Sequence, residues 1–365
     1  MGTARKLLLL YRFDWVLFSL IIVLTSIGLA SIYSVDLSRG ETLDYFPTQS
    51  LALVLGVVGL FIASQLHISI YRSATWLGYA FALLLLVSVL IFGQTIRGTT
   101  GWFNIGGLSF QPAEFAKLAY ILFLANWMDL YHRRFDTWQF VVSSGLFMLA
   151  FVGLIMLQPD LGSAAIIAGI WFGMLLISRT KKRYIATIVG SGLVVLLIGW
   201  FFLFAPYQKD RLLNFVHPER DPLGTGYNVT QSIIAVGSGK LWGRGLGFGS
   251  QSQLHFLPEA QTDFIFSVIG EELGFIGVLV VLTLYFMILW RLMLIASRAN
   301  DDFTAYFVIG VALLFFIQVL VNMGAALGLL PVTGVTLPFL SYGGSSLLMN
   351  LLLIGVVESV VVSNT

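Results

Sequence analysis

The chain contains no cysteine among its 365 residues. That absence excludes disulfides, thiolate catalysis and cysteine-ligated metals, so segments outside a membrane must be held by packing and hydrogen bonds. Charge is almost as scarce: Asp, Glu, Lys and Arg make up 10% of the residues, against roughly 25% in an ordinary soluble domain. With 58% hydrophobic residues, this composition cannot cover a globule with a hydrated surface. It reads instead as an all-α polytopic integral membrane protein. A net charge of +2, with the basic residues scattered between apolar runs, gives no footprint for nucleic acid. No repeat, low-complexity tract or second soluble domain breaks the pattern, so residues 1–365 are expected to form a single membrane domain.

A membrane helix needs about 20 mostly apolar residues, and the few charges divide the sequence into about ten such spans. Eight fall at 16–34, 46–66, 74–92, 113–127, 140–157, 162–178, 185–204 and 264–290. From Phe303 to Val357 there is no charged residue, a stretch too long for one helix, and Pro331, Gly334, Pro338, Gly343 and Gly344 interrupt it. It predicts spans nine and ten with a structured connection. Arg5, Lys6 and Arg12 ahead of the first apolar run resemble a secretory signal, but the many later spans favour an uncleaved first helix. An internal amino terminus places Arg72, Arg133, Arg134, Arg179, Lys181, Lys182, Arg183, Arg291 and Arg298 on the cytoplasmic side, with both termini. Lys209, Arg211, Arg220, Lys240 and Arg244 then fall in a large extracytoplasmic loop, about 205–262, between spans seven and eight. Trp15, Trp76, Trp127, Trp138 and Trp290 stand near span ends, where anchoring at the headgroup level explains them.

Polar and backbone-breaking sequence at membrane depth is tolerated only where protein buries it or a wet cavity meets it. On the orientation above, all of it lies outside: Gly98 to Pro112, Gln158 to Gly162, the long loop, and Pro331 to Ser346. Glu114 and Lys117 are three residues apart on one helical face. They form either a structural ion pair or a lysine, oriented by its partner, that receives an anionic head group. Lys240 and Arg244, among closely spaced glycines, are candidate phosphate contacts on charge alone; Gly243-Arg244-Gly245 lacks the flanking strand and helix of a dinucleotide site. Asp263 stands where an apolar helix begins, which suits a capping acid stabilised by the helix dipole. That alone would explain it; the second reading is a base that takes a hydroxyl proton during glycosyl transfer, and Glu259 competes for that role.

These residues carry a resemblance to the shape, elongation, division and sporulation (SEDS) family, of RodA/FtsW type, over about 14–357. The longest match runs from Asn322 through Gly328-Leu329-Leu330-Pro331-Val332-Thr333-Gly334 to Phe339-Leu340-Ser341-Tyr342-Gly343-Gly344-Ser345-Ser346. Gln111-Pro112-Ala113-Glu114 with Lys117, Gln158-Pro159-Asp160-Leu161-Gly162, Asp221-Pro222 with Gly226-Tyr227, and Leu257-Pro258-Glu259 with Thr262-Asp263-Phe264 extend it.

The resemblance implies a ten-span inverting enzyme that polymerises lipid II, an undecaprenyl-pyrophosphate-linked saccharide, outside the cytoplasmic membrane, with a class B penicillin-binding protein as partner. It makes Asp263 the essential aspartate and places Trp102, Glu114, Lys117, Asp160 and Ser341 at the substrate. Lys117, Arg211, Lys240 and Arg244 become candidates to stabilise the departing pyrophosphate. A divalent cation is a candidate to share that task, although no ligand cluster declares one. Gly101 departs from the family, where many members carry arginine directly before the tryptophan, so Arg97 is a candidate replacement. The segment from Gln251 to Glu259 is more RodA-like, whereas Glu259-Ala260 and Ile269 to Gly274 lean toward FtsW. A lipid flippase or transporter and a non-enzymatic scaffold are the readings from other classes. Transport should place polar groups on both sides of the membrane.

Overall fold

A chain this apolar must satisfy its backbone internally within a bilayer, and helices are its means of doing so. The computed structural model describes residues 12–364 apart from 39, 41–42, 97, 106–107, 133, 179, 204–208, 210–212, 214 and 216–224. In chain order the long helices are α1 (Trp15–Leu37), α2 (Tyr45–Gln65), a short α3 (Ile68–Ser73) and α4 (Thr75–Phe92). A strand trio follows, β1 (Gln94–Ile96), β2 (Thr99–Ile105) and β3 (Leu108–Phe110), leading into α5 (Pro112–Leu130), α6 (Trp138–Leu157) and α7 (Leu161–Ile177). Next come α8 (Lys182–Ile198), which ends in a π-helical turn (Gly199–Leu203), α9 (Thr225–Ser238) and α10 (Ser250–Gln253). The chain finishes with α11 (Ile265–Glu272), α12 (Gly274–Ser297), α13 (Asp302–Ala326) and α14 (Gly344–Asn364).

Among the described residues eight helices are long and apolar enough to cross a membrane: α1, α2, α4, α6, α8 with its π turn, α12, α13 and α14. The fourth and sixth predicted spans are also helical, as α5 and the 17-residue α7. The charge-free stretch divides as expected, into α13 and α14 around an irregular segment at 327–343.

One predicted span needs correction. The predicted span at 264–290 is two helices, because the chain turns at Gly274, whose φ of +68° favours glycine. A Cβ there would come within 2.2 Å of the Gly243 nitrogen, so α12 starts tightly beneath the 241–243 backbone. The helical class is as expected, with the addition of a small antiparallel sheet β1-β2-β3, in which Gln94 pairs with Trp102 and Phe103 with Phe110. Its Thr, Ile, Trp and Phe residues suit a pleated surface, but strands this short leave little periodic signal.

Helix packing follows the small-residue logic of membrane interfaces, with α2 laid closely along α14. A Cβ on Gly355 would lie 2.6 Å from the Leu60 carbonyl oxygen, so only hydrogen fits there. The irregular 327–343 segment lies against this pair and is hydrogen-bonded to the bundle. Gln49 of α2, 1% exposed, donates from Nε2 to the Ser341 carbonyl (3.2 Å) and accepts from the Gly343 nitrogen (3.0 Å). Tyr285 of α12 donates to the Pro338 carbonyl at 2.5 Å. Non-helical backbone is thereby satisfied within the helical bundle.

The opposite end of the bundle carries its own charged groups. Asp14 caps α1 through the Leu17 nitrogen (3.0 Å) and pairs with Arg291 (2.6 Å), while its own nitrogen donates to the fully buried Glu358 (2.9 Å). Arg72 pairs with Asp129, and Lys181 lies 3.1 Å from Asp136. Buried polar groups therefore occur at both ends, which corrects the expectation that they gather at one.

Candidate active site

The α13–α14 connection, the sheet and the turn before α11 all meet at one end of the bundle, where they enclose a cavity of about 660 Å³. Each of its chemical groups is placed by local structure. Pro112 opens α5 at a position where its missing N–H costs nothing, which puts Glu114 and Lys117 in the first two turns. Lys117 Nζ lies 2.7 Å from Glu114 Oε1, and both side chains are almost completely buried at the cavity wall. Breaking such a pair would leave an uncompensated buried charge.

Asp160 is the N-cap of α7. Its Oδ1 accepts from the Ser163 nitrogen (2.9 Å), and its Oδ2 accepts from Ser163 Oγ (2.7 Å) and Gln111 Nε2 (3.1 Å). The same carboxylate therefore fixes the start of α7 and links it to the residue preceding α5. Trp102 reaches the cavity from β2, and Gly101 beside it is buried against the amide of Gln158.

Asp263 lies in a tight turn before α11. Glu259 takes φ of +52°, unusual without glycine, and its carbonyl accepts from the nitrogens of Thr262 (3.1 Å) and Phe264 (3.4 Å). The turn is tied to the α13–α14 connection on both sides of the aspartate. Ser341 Oγ donates to the Thr262 carbonyl (2.6 Å), and Asn322 Nδ2 donates to the carbonyls of Asp263 (3.0 Å) and Val335 (2.8 Å). The Asp263 side chain lines the cavity, about 3.9 Å from where a Cβ on Gly334 would stand. Phe264 takes the N-cap position of α11 with no side-chain capping bond, and Asp263 stands one residue ahead of it.

Of the residues singled out in the sequence, the fold brings Trp102, Glu114, Lys117, Asp160 and Asp263 to this one cavity. Ser341 and Glu259 do not line it. The Ser341 hydroxyl is engaged by Thr262 and by the Leu337 nitrogen (2.8 Å), and a Glu259 carboxylate oxygen accepts from Thr262 Oγ1 (3.0 Å). Both sit behind the turn that carries Asp263.

Lys240 and Arg244 lie elsewhere, exposed on the chain between α9 and α10. Arg244 donates to Ser250 Oγ (2.7 Å), and its backbone bonds the Glu271 carbonyl. Arg211 and Arg97 fall outside the described residues. Glu271 and Glu272, to which the sequence assigned no role, are buried fasteners for this segment. Glu271 accepts from the nitrogens of Gln251 (2.8 Å) and Ser252 (3.1 Å), and Glu272 accepts from Ser34 Oγ of α1 (2.6 Å).

Sequence reasoning quoted Gln111 and Tyr342 within motifs without giving them a role at the site, and passed over Ser163 and Gln318 of α13, all of which line the wall. Gln318 had a signal, since it and Asn322, one turn further on, are the two amides in an otherwise apolar stretch of helix. Among the described residues no group of three or more His, Asp or Glu is placed to hold a metal ion.

This geometry can be set beside known proteins. The family model described as cell cycle protein, FtsW/RodA/SpoVE, matches residues 7–365. The probable peptidoglycan glycosyltransferase FtsW of Trichlorobacter lovleyi is 37% identical over 98% of this chain and 95% of its own length. The peptidoglycan glycosyltransferase MrdB of Escherichia coli K12 is 35% identical over 94% of this chain and 92% of its own. A solved structure described as showing structural coordination of polymerization and crosslinking by a peptidoglycan synthase complex superposes with a TM-score of 0.79 and 33% identity, covering 96% of this chain and 97% of that one. A multi-pass helical bundle, the Asn322 to Ser346 signature and these full-length matches agree, and the chain belongs to the FtsW/RodA/SpoVE (SEDS) family of peptidoglycan glycosyltransferases.

Proposed function

We propose that the protein polymerises lipid II into β-1,4 glycan strands in the cavity, at the extracytoplasmic end of the bundle, with Asp263 as general base. The observation that carries this reading is the convergence on one 660 Å³ chamber of a turn-held carboxylate, Asp263, and a buried cation, Lys117. Glycosyl transfer needs both. Asp263 takes the proton from the 4-hydroxyl of the acceptor saccharide as that oxygen attacks the donor's anomeric carbon. The bond from that carbon to undecaprenyl pyrophosphate breaks, and inversion converts an α-linked donor into a β-linked product. Lys117, oriented by Glu114, faces the negative charge that builds on the departing pyrophosphate. Asp160, bound to Ser163 and Gln111, keeps this wall in register, and Trp102 contributes a flat apolar face against the saccharide.

The extracytoplasmic placement rests on charge. Arg72, Lys181 and Arg291 lie at the end opposite the cavity, and the positive-inside rule puts that end in the cytoplasm. The prenyl chain then stays in the bilayer, since each buried methylene is worth about 0.8 kcal/mol.

The cellular role we infer is RodA-type elongation, on the strength of the segment from Gln251 to Glu259. The partner is a transpeptidase of the class B penicillin-binding type, in keeping with the likeness to a solved structure described as a peptidoglycan synthase complex that coordinates polymerization and crosslinking. The FtsW-type division role is the second reading, favoured by the FtsW-named relative at 37% identity.

The purified protein, alone and with its transpeptidase, is expected to convert labelled lipid II into glycan ladders resolvable on gels. Movement of lipid II between leaflets without any polymer would overturn this reading in favour of transport. In cells, depletion that rounds rods supports elongation, and depletion that gives filaments assigns division.

A further inference from the structure

Gln318 occupies an unusual position in α13. The helix ends at Ala326 on the cavity side, so Gln318 lies eight residues, or about 12 Å, below that end. It is 1% exposed and lines the cavity, yet neither its Nε2 nor its Oε1 has a hydrogen-bond partner. A glutamine that served the fold would spend its amide on a neighbouring segment, as Gln49 does with Ser341 and Gly343 of the α13–α14 connection. Thr333, on the α13–α14 connection, repeats the pattern: its Oγ1 is buried, unpartnered and part of the same cavity wall. One helical turn beyond Gln318 stands Asn322, whose amide holds the Asp263 carbonyl. The unspent amide is therefore coupled along a single helix to the turn that carries the proposed base.

The chemistry of these two groups identifies what they meet. A primary amide offers two donors and an acceptor without charge, and a hydroxyl offers one donor and two acceptor lone pairs. This set suits a neutral ligand that itself both donates and accepts, such as vicinal hydroxyls or the acetamido group of an N-acetylated sugar. A pyrophosphate only accepts, and the buried cation Lys117 is the group built for it. A prenyl chain would leave both groups desolvated and unpaired.

We propose that Gln318, with Thr333, forms a saccharide-recognition subsite deep in the cavity that binds the acetamido or hydroxyl groups of an N-acetylhexosamine. This rests on the reading of the cavity as a lipid II site and adds residue-level specificity to it. The subsite would reward a correctly seated sugar with hydrogen bonds that the protein does not make for itself, and would leave the polar pair unsatisfied against a sugar lacking those groups.

The test compares Gln318→Leu and Thr333→Val with wild type for binding of two probes, lipid II and undecaprenyl pyrophosphate, the second having the same lipid and phosphates without sugar. Gln318→Leu is expected to weaken lipid II binding tenfold or more and to change undecaprenyl pyrophosphate binding less than twofold, with Thr333→Val showing the same pattern more weakly. Its thermal midpoint in detergent should match or exceed that of wild type, because the substitution removes an amide that the protein leaves unpaired. Equal weakening of both probes would reassign Gln318 to the phosphates, and unchanged binding of both, or a fall in the midpoint, would make it structural; each outcome overturns the subsite. Wild type that binds undecaprenyl pyrophosphate but not lipid II would remove the inference together with the reading beneath it. Wild type that polymerises lipid II while Gln318→Leu binds it normally would remove the inference alone.

Discussion

Replacing Asp263 with asparagine is expected to reduce lipid II polymerisation by about two to four orders of magnitude, the range over which a positioned general base acts. The expectation follows from where the side chain sits. Its backbone is fixed by Asn322 through its own carbonyl and by Ser341 through the carbonyl of Thr262. The amide of asparagine has nearly the shape of the carboxylate, so the turn should survive and only proton acceptance should be lost. Lipid II affinity and thermal midpoint are therefore predicted to stay near wild type while the rate collapses. Asp263→Ala should be equally inactive. A parallel loss of binding and folding would assign the aspartate a structural part, and full activity in either variant would move the base elsewhere, with Glu259 behind the turn as the next carboxylate to test.

The second large effect concerns the buried pair of α5. Lys117→Met strands Glu114 as an unpaired buried carboxylate, and breaking such a pair costs about 3–5 kcal/mol. Removing both charges at once, as Glu114→Gln with Lys117→Met, avoids that penalty and is expected to restore most of the stability. It should not restore polymerisation, because the cation proposed to face the departing pyrophosphate is gone. Thermal unfolding and glycan synthesis measured on the same preparations separate the two roles. A double variant that is stable and polymerises normally would reduce the pair to an internal neutralisation with no part in the chemistry.

Much of this architecture can be read from the amino-acid order because charges in an apolar chain act as punctuation. Helix positions followed from Arg72, Arg134, Lys182 and Arg298, and the break between α13 and α14 from Pro331, Pro338 and their neighbouring glycines. The division of 264–290 into α11 and α12 was not legible, since Gly274 lies in an apolar run and its turn is imposed by contact with the 241–243 backbone. The sheet at 94–110 was missed because its short strands carry almost no periodicity, although it delivers Trp102 to the cavity.

Within the site, the sequence pointed to residues whose chemistry is conspicuous at membrane depth: Glu114, Lys117, Asp160 and Asp263. It did not distinguish a residue that faces the cavity from one that braces it. Ser341 and Glu259 support the turn from behind, a distinction set by hydrogen bonds between segments some eighty residues apart in the case of Ser341 and Thr262. Lys240 and Arg244 looked suited to phosphate by charge alone, yet Glu271 and Glu272 pin their segment away from the cavity. Gln318 was passed over because an amide in a long apolar helix, like its neighbour Asn322, resembles an ordinary packed polar residue until its lack of partners is seen.

The most direct test of the central claim is to find where the substrate sits. Lipid II carrying a diazirine on its saccharide, activated in the bound state, should attach to peptides containing Trp102, Lys117, Asp160, Asp263 or Gly334, which share the cavity wall. Attachment confined to the exposed segment around Lys240 and Arg244, or to the groove between α1 and α12 at Leu20, Trp290 and Arg291, would contradict the assignment of this cavity as the place where glycan strands are made.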